Sequence, residues 1–156
     1  MNRFWRAHVA ADADAIIFGT PTYMGSVSVA FHALAEAPSK PWMQRTWQDK
    51  LDAGFTITGS MSGDKLHTLQ YLSLLAALHG MHWVSLGPLP GWNTTTSTDH
   101  DDNRLGFYLG AGAQSWNDRG HDAVLTGAPR VTSAAASQSS GNPPSKLVVW
   151  PRKEPQ

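Results

Sequence analysis

Short apolar runs that stop at glycine and hydroxyl residues set the rhythm of this chain. Ala15-Ile-Ile-Phe18 is continuously apolar and ends at Gly19-Thr-Pro-Thr22, as a strand buried on both faces of a parallel sheet does. It predicts a strand over about 14–19, preceded by a short helix within residues 1–12. Ser26 to Ala37 reads as a serine-capped helix, with Val27, Ala30, Phe31 and Leu34 on one face. Pro38 and Pro41 end it, and residues 42–50 form a polar, aromatic connection with room for one further helical turn.

The pattern then repeats. Ala53-Gly-Phe-Thr-Ile-Thr58 is a β-branched and aromatic strand running into Gly59-Ser-Met-Ser-Gly63. A helix from about Asp64 to His79 carries Leu66, Leu69, Leu72, Leu75 and Ala76 as its apolar stripe, with Gly80 as its cap. His82-Trp-Val-Ser-Leu86 is a third strand. Alternation of strand, glycine-rich turn and helix predicts an α/β fold with parallel strands. Residues 88–103 read as loop, and Asn103 to Ser115 as a glycine-rich helix or turn. Beyond about Arg130 the composition shifts to Ser, Ala, Pro and Gln, which predicts a disordered tail over 129–156, with Lys146–Trp150 as a stray strand within it.

Composition narrows the chemistry. The chain has 156 residues, enough for one domain with a core. Lys plus Arg equals Asp plus Glu at 12 each, so no net field favours nucleic acid or an anionic membrane. There is no cysteine, which removes disulfides and thiolate chemistry. No run is long enough for a membrane span, and the N-terminus lacks the apolar run of a signal peptide, so a cytoplasmic location is expected.

The candidate chemistry lies in the two turns. Thr20-Pro-Thr-Tyr-Met-Gly25 and Thr58-Gly-Ser-Met-Ser-Gly-Asp64 offer hydroxyls and amides just past two strand ends. That arrangement suits the polar edge of a planar cofactor or an anion, and equally suits tight strand–helix turns that bind nothing. His79 reads as a helix-end histidine and Trp42 as a cover for the core. Asp64 and Lys65 read as a capping acid and a solvated base. Asp99-His-Asp-Asp102 are consecutive loop residues, which rarely converge on one ion, and no metal site is expected.

In combination these motifs resemble the WrbA-like branch of the flavodoxin-like superfamily, which holds FMN-dependent NAD(P)H:quinone oxidoreductases and NADPH-dependent FMN reductases. The residues that carry the likeness are Asp14–Gly25, Trp42, Thr58–Lys65, Leu78-His-Gly-Met81 and Asn103–Ser115. The resemblance implies a partial flavodoxin-like three-layer fold retaining the family's third to fifth strands, in a domain over residues 1–128. It implies FMN as cofactor, with Thr20, Pro21, Thr22, Tyr23, Met24 and Gly25 as one ring-binding loop. Thr58, Gly59, Ser60, Met61, Ser62 and Gly63 would form the other, His79 would reach the flavin (often from a neighbouring subunit), and Trp42 would stand at the substrate mouth.

The implied activity is two-electron transfer through FMN from NAD(P)H to a quinone or similar acceptor, in a homo-oligomer. The scheme needs no side-chain acid, and His79 is the one candidate proton donor. The family's first strand and phosphate loop have no counterpart in the residues here, which implies an open edge on the strand at 14–19 prone to self-association. A non-catalytic flavodoxin-like fragment or interaction module is the alternative, and an α/β enzyme of another type using Thr58–Gly63 is a further one.

Overall fold

The computed structural model describes residues 10–118 and the strand at 147–150. Strand β1 spans Ala15–Tyr23, β2 Ser26–Val27, β3 Leu51–Thr58, β4 His82–Trp83, β5 Ala111–Gln114 and β6 Leu147–Trp150. Helix α1 spans Val29–Glu36, α2 Ser39–Met43 and α3 Lys65–Leu78. Among the described residues no helix is long and apolar enough to cross a membrane.

The sheet is parallel throughout, apart from the short β2, which folds back antiparallel on the end of β1. β1 pairs with β3 from Ala15↔Leu51 to Pro21↔Ile57. The far edge of β3 is shared by two segments: β4 pairs at Leu51 and Asp52, and β5 pairs from Phe55 to Thr58. One strand position is thus filled in two pieces, and residues 84–110 make an excursion between them. Leu86 N donates to Tyr108 O at 3.0 Å and Trp83 Nε1 to Leu109 O at 2.8 Å, closing its base.

Several expectations need correction. The first strand does not stop at Gly19 but continues through Tyr23, so Thr20–Tyr23 belong to β1 and only Met24 and Gly25 turn, with φ of 49° and 78°. Ser26 and Val27 form β2, and the helix starts after Ser28, whose Oγ accepts from Phe31 N at 3.2 Å. Ala30 is exposed because the buried stripe of α1 runs through Phe31 and Leu34. Leu66 is 50% exposed, because the first turn of α3 buries Lys65 and Thr68 instead. The strand expected over 82–86 holds its ladder for two residues only, and the glycine-rich segment 103–115 contains β5.

The edge of β1 is not open. β6 pairs parallel with it from Ala15↔Leu147 to Phe18↔Trp150, in the place that the resemblance gives to the family's first strand. β6 lies within the Lys146–Trp150 segment that reads as a stray strand, and the rest of 129–156 lies outside the described residues.

α1 and α3 pack on the sheet face that carries Ile16 and Phe18, with Phe31, Leu34, Leu69, Leu72, Leu75, Ala76 and Trp47. Phe18 meets Phe31 edge to face at 5.7 Å and Trp47 at 6.2 Å. The opposite face carries Ile17, Ala53 and Val84, with Leu51 and Phe55 beside them.

Candidate functional site

A cavity of about 370 Å³ opens at the carboxyl edge of the sheet, lined by Pro21, Tyr23, Ile57, Thr58, Gly59, Ser60, Ser115 and Asn117. Parallel sheets place ligands at this edge because the loops leaving the strands diverge there and leave backbone groups free. Pro21 and Ile57 are directly paired across β1 and β3. Proline gives up no ladder bond it could have made, and its ring and the isoleucine form an apolar floor.

Strand periodicity sorts the first loop. Successive side chains of β1 alternate between faces, so Pro21 and Tyr23 reach the cavity while Thr20 and Thr22 turn toward the helices. Thr20 Oγ1 donates to Ser28 Oγ at 3.2 Å and accepts from Ser28 N at 3.1 Å. Thr22 Oγ1 lies 2.7 Å from Thr56 Oγ1 and 2.8 Å from Thr68 Oγ1. Met24 projects fully into solvent, and Gly25 O accepts from His67 Nδ1 at 2.7 Å, which requires the proton on that nitrogen.

The second loop is held from beneath. Lys65, fully buried, donates through Nζ to Ser60 O at 2.6 Å, Met61 O at 2.8 Å and Ser62 O at 3.3 Å. Burial, and secondarily Arg104, lowers its pKa to about 8. Asp64, in the left-handed region at φ 52°, makes no side-chain cap. The expectation of a capping acid and a solvated base is therefore overturned: Lys65 is spent on the loop it follows. Gly63, at φ 53°, packs against Thr58, where an added Cβ would lie 2.4 Å from Cγ2.

Gly59 is the point of closest approach. A Cβ there would lie 2.0 Å from Asn117 Oδ1, so only glycine lets the asparagine lie on the loop. Gln114 Nε2 donates to Gly59 O at 3.1 Å, and Arg104 Nη2 donates to Gln114 Oε1 at 3.0 Å. Ser115 N donates to Thr58 O at 3.1 Å.

His79 and Trp42 are elsewhere. Trp42 Nε1 donates to Leu78 O at 2.9 Å, and the buried His79 ring lies 4.2 Å from that of Trp47. Both sit at the C-terminal end of α3, whose 14 residues separate them from the cavity by about 20 Å at a rise of ~1.5 Å per residue. Burial lowers the His79 pKa. No group of three or more His, Asp or Glu side chains among the described residues is arranged to hold a metal. Asp101 instead accepts from Thr98 Oγ1 at 3.1 Å within its own loop.

Ile57, Ser115 and Asn117 were not anticipated as lining residues. Ser115 closes a recognisable motif, but nothing local marks Asn117, which reaches the cavity only because β5 lies beside β3. A mostly parallel sheet with two hydroxyl- and amide-rich loops converging on a cavity at its carboxyl edge is the arrangement of a partial flavodoxin-like fold.

Comparison with known proteins shows the family. Residues 5–89 match the family model described as NADPH-dependent FMN reductase. The chain belongs to this family. It is similar to flavodoxin FldP of Pseudomonas aeruginosa, 46% identical over 115 residues that make up 74% of this chain and 62% of that protein. It is also similar to a protein of Archaeoglobus fulgidus named NAD(P)H dehydrogenase (quinone), 38% identical over 77 residues, 49% of this chain and 40% of that one. Among solved structures, a flavodoxin, WrbA-like protein from Agrobacterium tumefaciens shares 62% identity at a TM-score of 0.49, covering 50% of each chain. The chain thus spans between about two fifths and three fifths of the length of these curated relatives.

Proposed function

We propose that the chain binds the ring of FMN and takes part in two-electron transfer from NAD(P)H to a quinone or similar small acceptor. The observation that carries this reading is the convergence of Pro21 and Tyr23 with Thr58, Gly59 and Ser60 on one cavity. Its volume falls in the range of small-molecule clefts, roughly 300–1,000 Å³. The donor set fits the group: an apolar floor for a flat ring, and hydroxyl, amide and backbone groups for its polar edge. FMN, when bound, supplies the redox chemistry.

The residues of the chain bind and orient. Pro21 and Ile57 would hold the face of the ring, and Thr58, Ser60 and Asn117 would offer hydrogen-bonding groups to its polar edge. Thr20 and Thr22 act from behind, fixing β1 so that Tyr23, Met24 and Gly25 keep their course. Met61, Ser62 and Gly63 continue the second loop beyond Ser60. Tyr23, 65% exposed, offers a face on which nicotinamide or acceptor stacks. His79 and Trp42, a helix length from the cavity of their own chain, serve a flavin only across an interface with a second copy, so a homo-oligomer is part of this reading.

A second reading is favoured by β6. The position beside β1 that the resemblance assigns to the family's first strand is taken by Leu147–Trp150, followed in sequence by Pro-Arg-Lys-Glu-Pro-Gln rather than a Ser/Gly/His/Thr phosphate loop. On that reading the chain is a non-catalytic flavodoxin-like module.

Titration of the purified chain with FMN, followed by quenching of flavin fluorescence, separates the two. Saturable binding together with quinone-dependent NAD(P)H oxidation supports the first. Absence of binding at high micromolar FMN overturns it, and binding without turnover favours the second.

A further inference from the structure

Lys65 is the least expected residue of the site. It opens α3 and is fully buried, although a methionine would fill the same space without the cost of removing an ammonium from water. Its stem passes Gly112 of β5, where an added Cβ would stand 3.3 Å from Lys65 Cδ. The Phe107 ring lies over the ammonium, 5.9 Å from its centroid. Three donors on the ammonium meet three consecutive carbonyls, Ser60, Met61 and Ser62, within 3.3 Å. The match of number is complete.

The geometry has a consequence for the outer side of the loop. In a trans peptide the C=O and N–H point in opposite directions. Drawing in the carbonyls of Ser60, Met61 and Ser62 therefore turns the N–H groups of Met61, Ser62 and Gly63 outward. These three amides donate to no other described residue. A cation behind a peptide unit also polarises it, strengthening the donor on the far side. The loop adjoins the cavity through Ser60.

We propose that Lys65 is the positioning residue of the Gly59–Gly63 loop, its ammonium holding three carbonyls inward so that the outward amides of Met61, Ser62 and Gly63 receive the oxygen-bearing edge of the flavin. The ligand part of this proposal rests on the flavin reading above. The clamp itself rests on the geometry alone.

Protonation makes the clamp testable. The ammonium has one proton for each carbonyl, whereas the neutral amine has two for three. With its pKa lowered to about 8 by burial and then by Arg104, Lys65 loses its charge at moderately alkaline pH. Arg104, on the excursion between β4 and β5, is the charged group acting on it from outside α3, while Asp64 precedes it at the N-cap and His67 follows it on the helix. The loop should be fully clamped below that pH and loosen as pH rises through it.

The experiment uses the whole chain. Carbon-detected NMR follows the carbonyl ¹³C shifts of Ser60, Met61 and Ser62 from neutral to alkaline pH without FMN, since carbonyl signals survive the fast amide exchange of alkaline solution. FMN affinity is measured by fluorescence over the same range, for the wild type and Lys65→Met. The expected result is one common midpoint for the three carbonyls, and an affinity that falls about tenfold as the ammonium is lost. Lys65→Met should bind about tenfold more weakly at neutral pH, with no pH dependence across this range. Carbonyls that do not titrate together overturn the clamp, and this arm needs only the wild type. Carbonyls that titrate while FMN affinity stays flat overturn the positioning role. A wild type that binds no FMN at any pH overturns the flavin reading and the ligand part together, and the carbonyl titration then stands as a property of the loop alone.

Discussion

Thr22 on β1 and Thr68 on α3 bring their hydroxyl oxygens to 2.8 Å, and Thr56 on β3 joins the same Thr22 hydroxyl at 2.7 Å. Three elements are tied at a point where all three side chains are buried. Thr22→Val keeps the shape but strands two hydroxyls, and should cost about 2–6 kcal/mol at ~1–3 kcal/mol for each unsatisfied group. Replacing all three threonines with valine removes every unpaired group and should return stability to within about 1 kcal/mol of wild type. Urea unfolding of the single and triple variants measures the difference.

Asp52 presents a different buried polar group. It is 1% exposed, and neither carboxyl oxygen has a well-formed hydrogen-bond partner. Burial raises its pKa well above 3.8, and the Ala53 amide offsets this only in part. Because the folded pKa lies above the unfolded one, Asp52 favours the fold most when protonated at acid pH. That contribution is lost as pH rises from the unfolded value through the folded one. Asp52→Asn should therefore gain stability relative to wild type with rising pH. Equal slopes of stability against pH for the two proteins would refute the assignment.

Gly19 has an ordinary φ, so its role is space rather than conformation. A Cβ at this position would lie 2.1 Å from Phe55 Cζ. Gly19→Ala should destabilise by about 1–3 kcal/mol through overpacking. Adding Phe55→Leu to Gly19→Ala should recover part of that loss, a coupling read from a double-mutant cycle.

The cavity wall can be altered without touching the core. Asn117→Ala and Tyr23→Ala each remove a group that lines the cavity, and Tyr23 is exposed. Each should weaken FMN binding by about fivefold to tenfold and change stability by less than about 1 kcal/mol. Unchanged affinity in both variants would place the flavin elsewhere.

β6 covers four residues of the β1 edge. Deleting residues 147–156 should leave Ala15–Phe18 as an open edge and drive association. Sedimentation velocity should show larger species for the deletion than for the intact chain. A peptide of residues 146–156 added in trans should reduce them. A deletion variant that sediments like the intact chain would show that β6 protects nothing.

The two loops beside the cavity were readable as motifs, but not the division of labour within them. Thr20 to Gly25 looks like one uniform turn in sequence. The extension of β1 through Tyr23 decides that Pro21 and Tyr23 face the cavity, while Thr20 meets Ser28 at the start of α1 and Thr22 meets Thr68 on α3. Leu66 and Lys65 show the same limit: apolarity assigned the leucine to the core, yet the chain buries the lysine because the carbonyls it serves lie behind the helix start. His79, at the end of α3, and Trp42, on α2, lie a helix length from the cavity of their own chain, a separation that the motifs alone do not record.

By itself the sequence determined the parallel α/β class, β1, β3, α1 and α3, and the two glycine- and hydroxyl-rich loops. Those features follow from local patterns: an apolar run that stops, a helical stripe, a glycine where the chain must turn. Only the tertiary structure decided that β6 closes the edge of β1, that β4 and β5 share one strand position, that Ser115 and Asn117 complete the cavity, and that Lys65 holds its loop. Each of these depends on partners distant in sequence, whose meeting is settled by long-range packing and backbone pairing that no local pattern records.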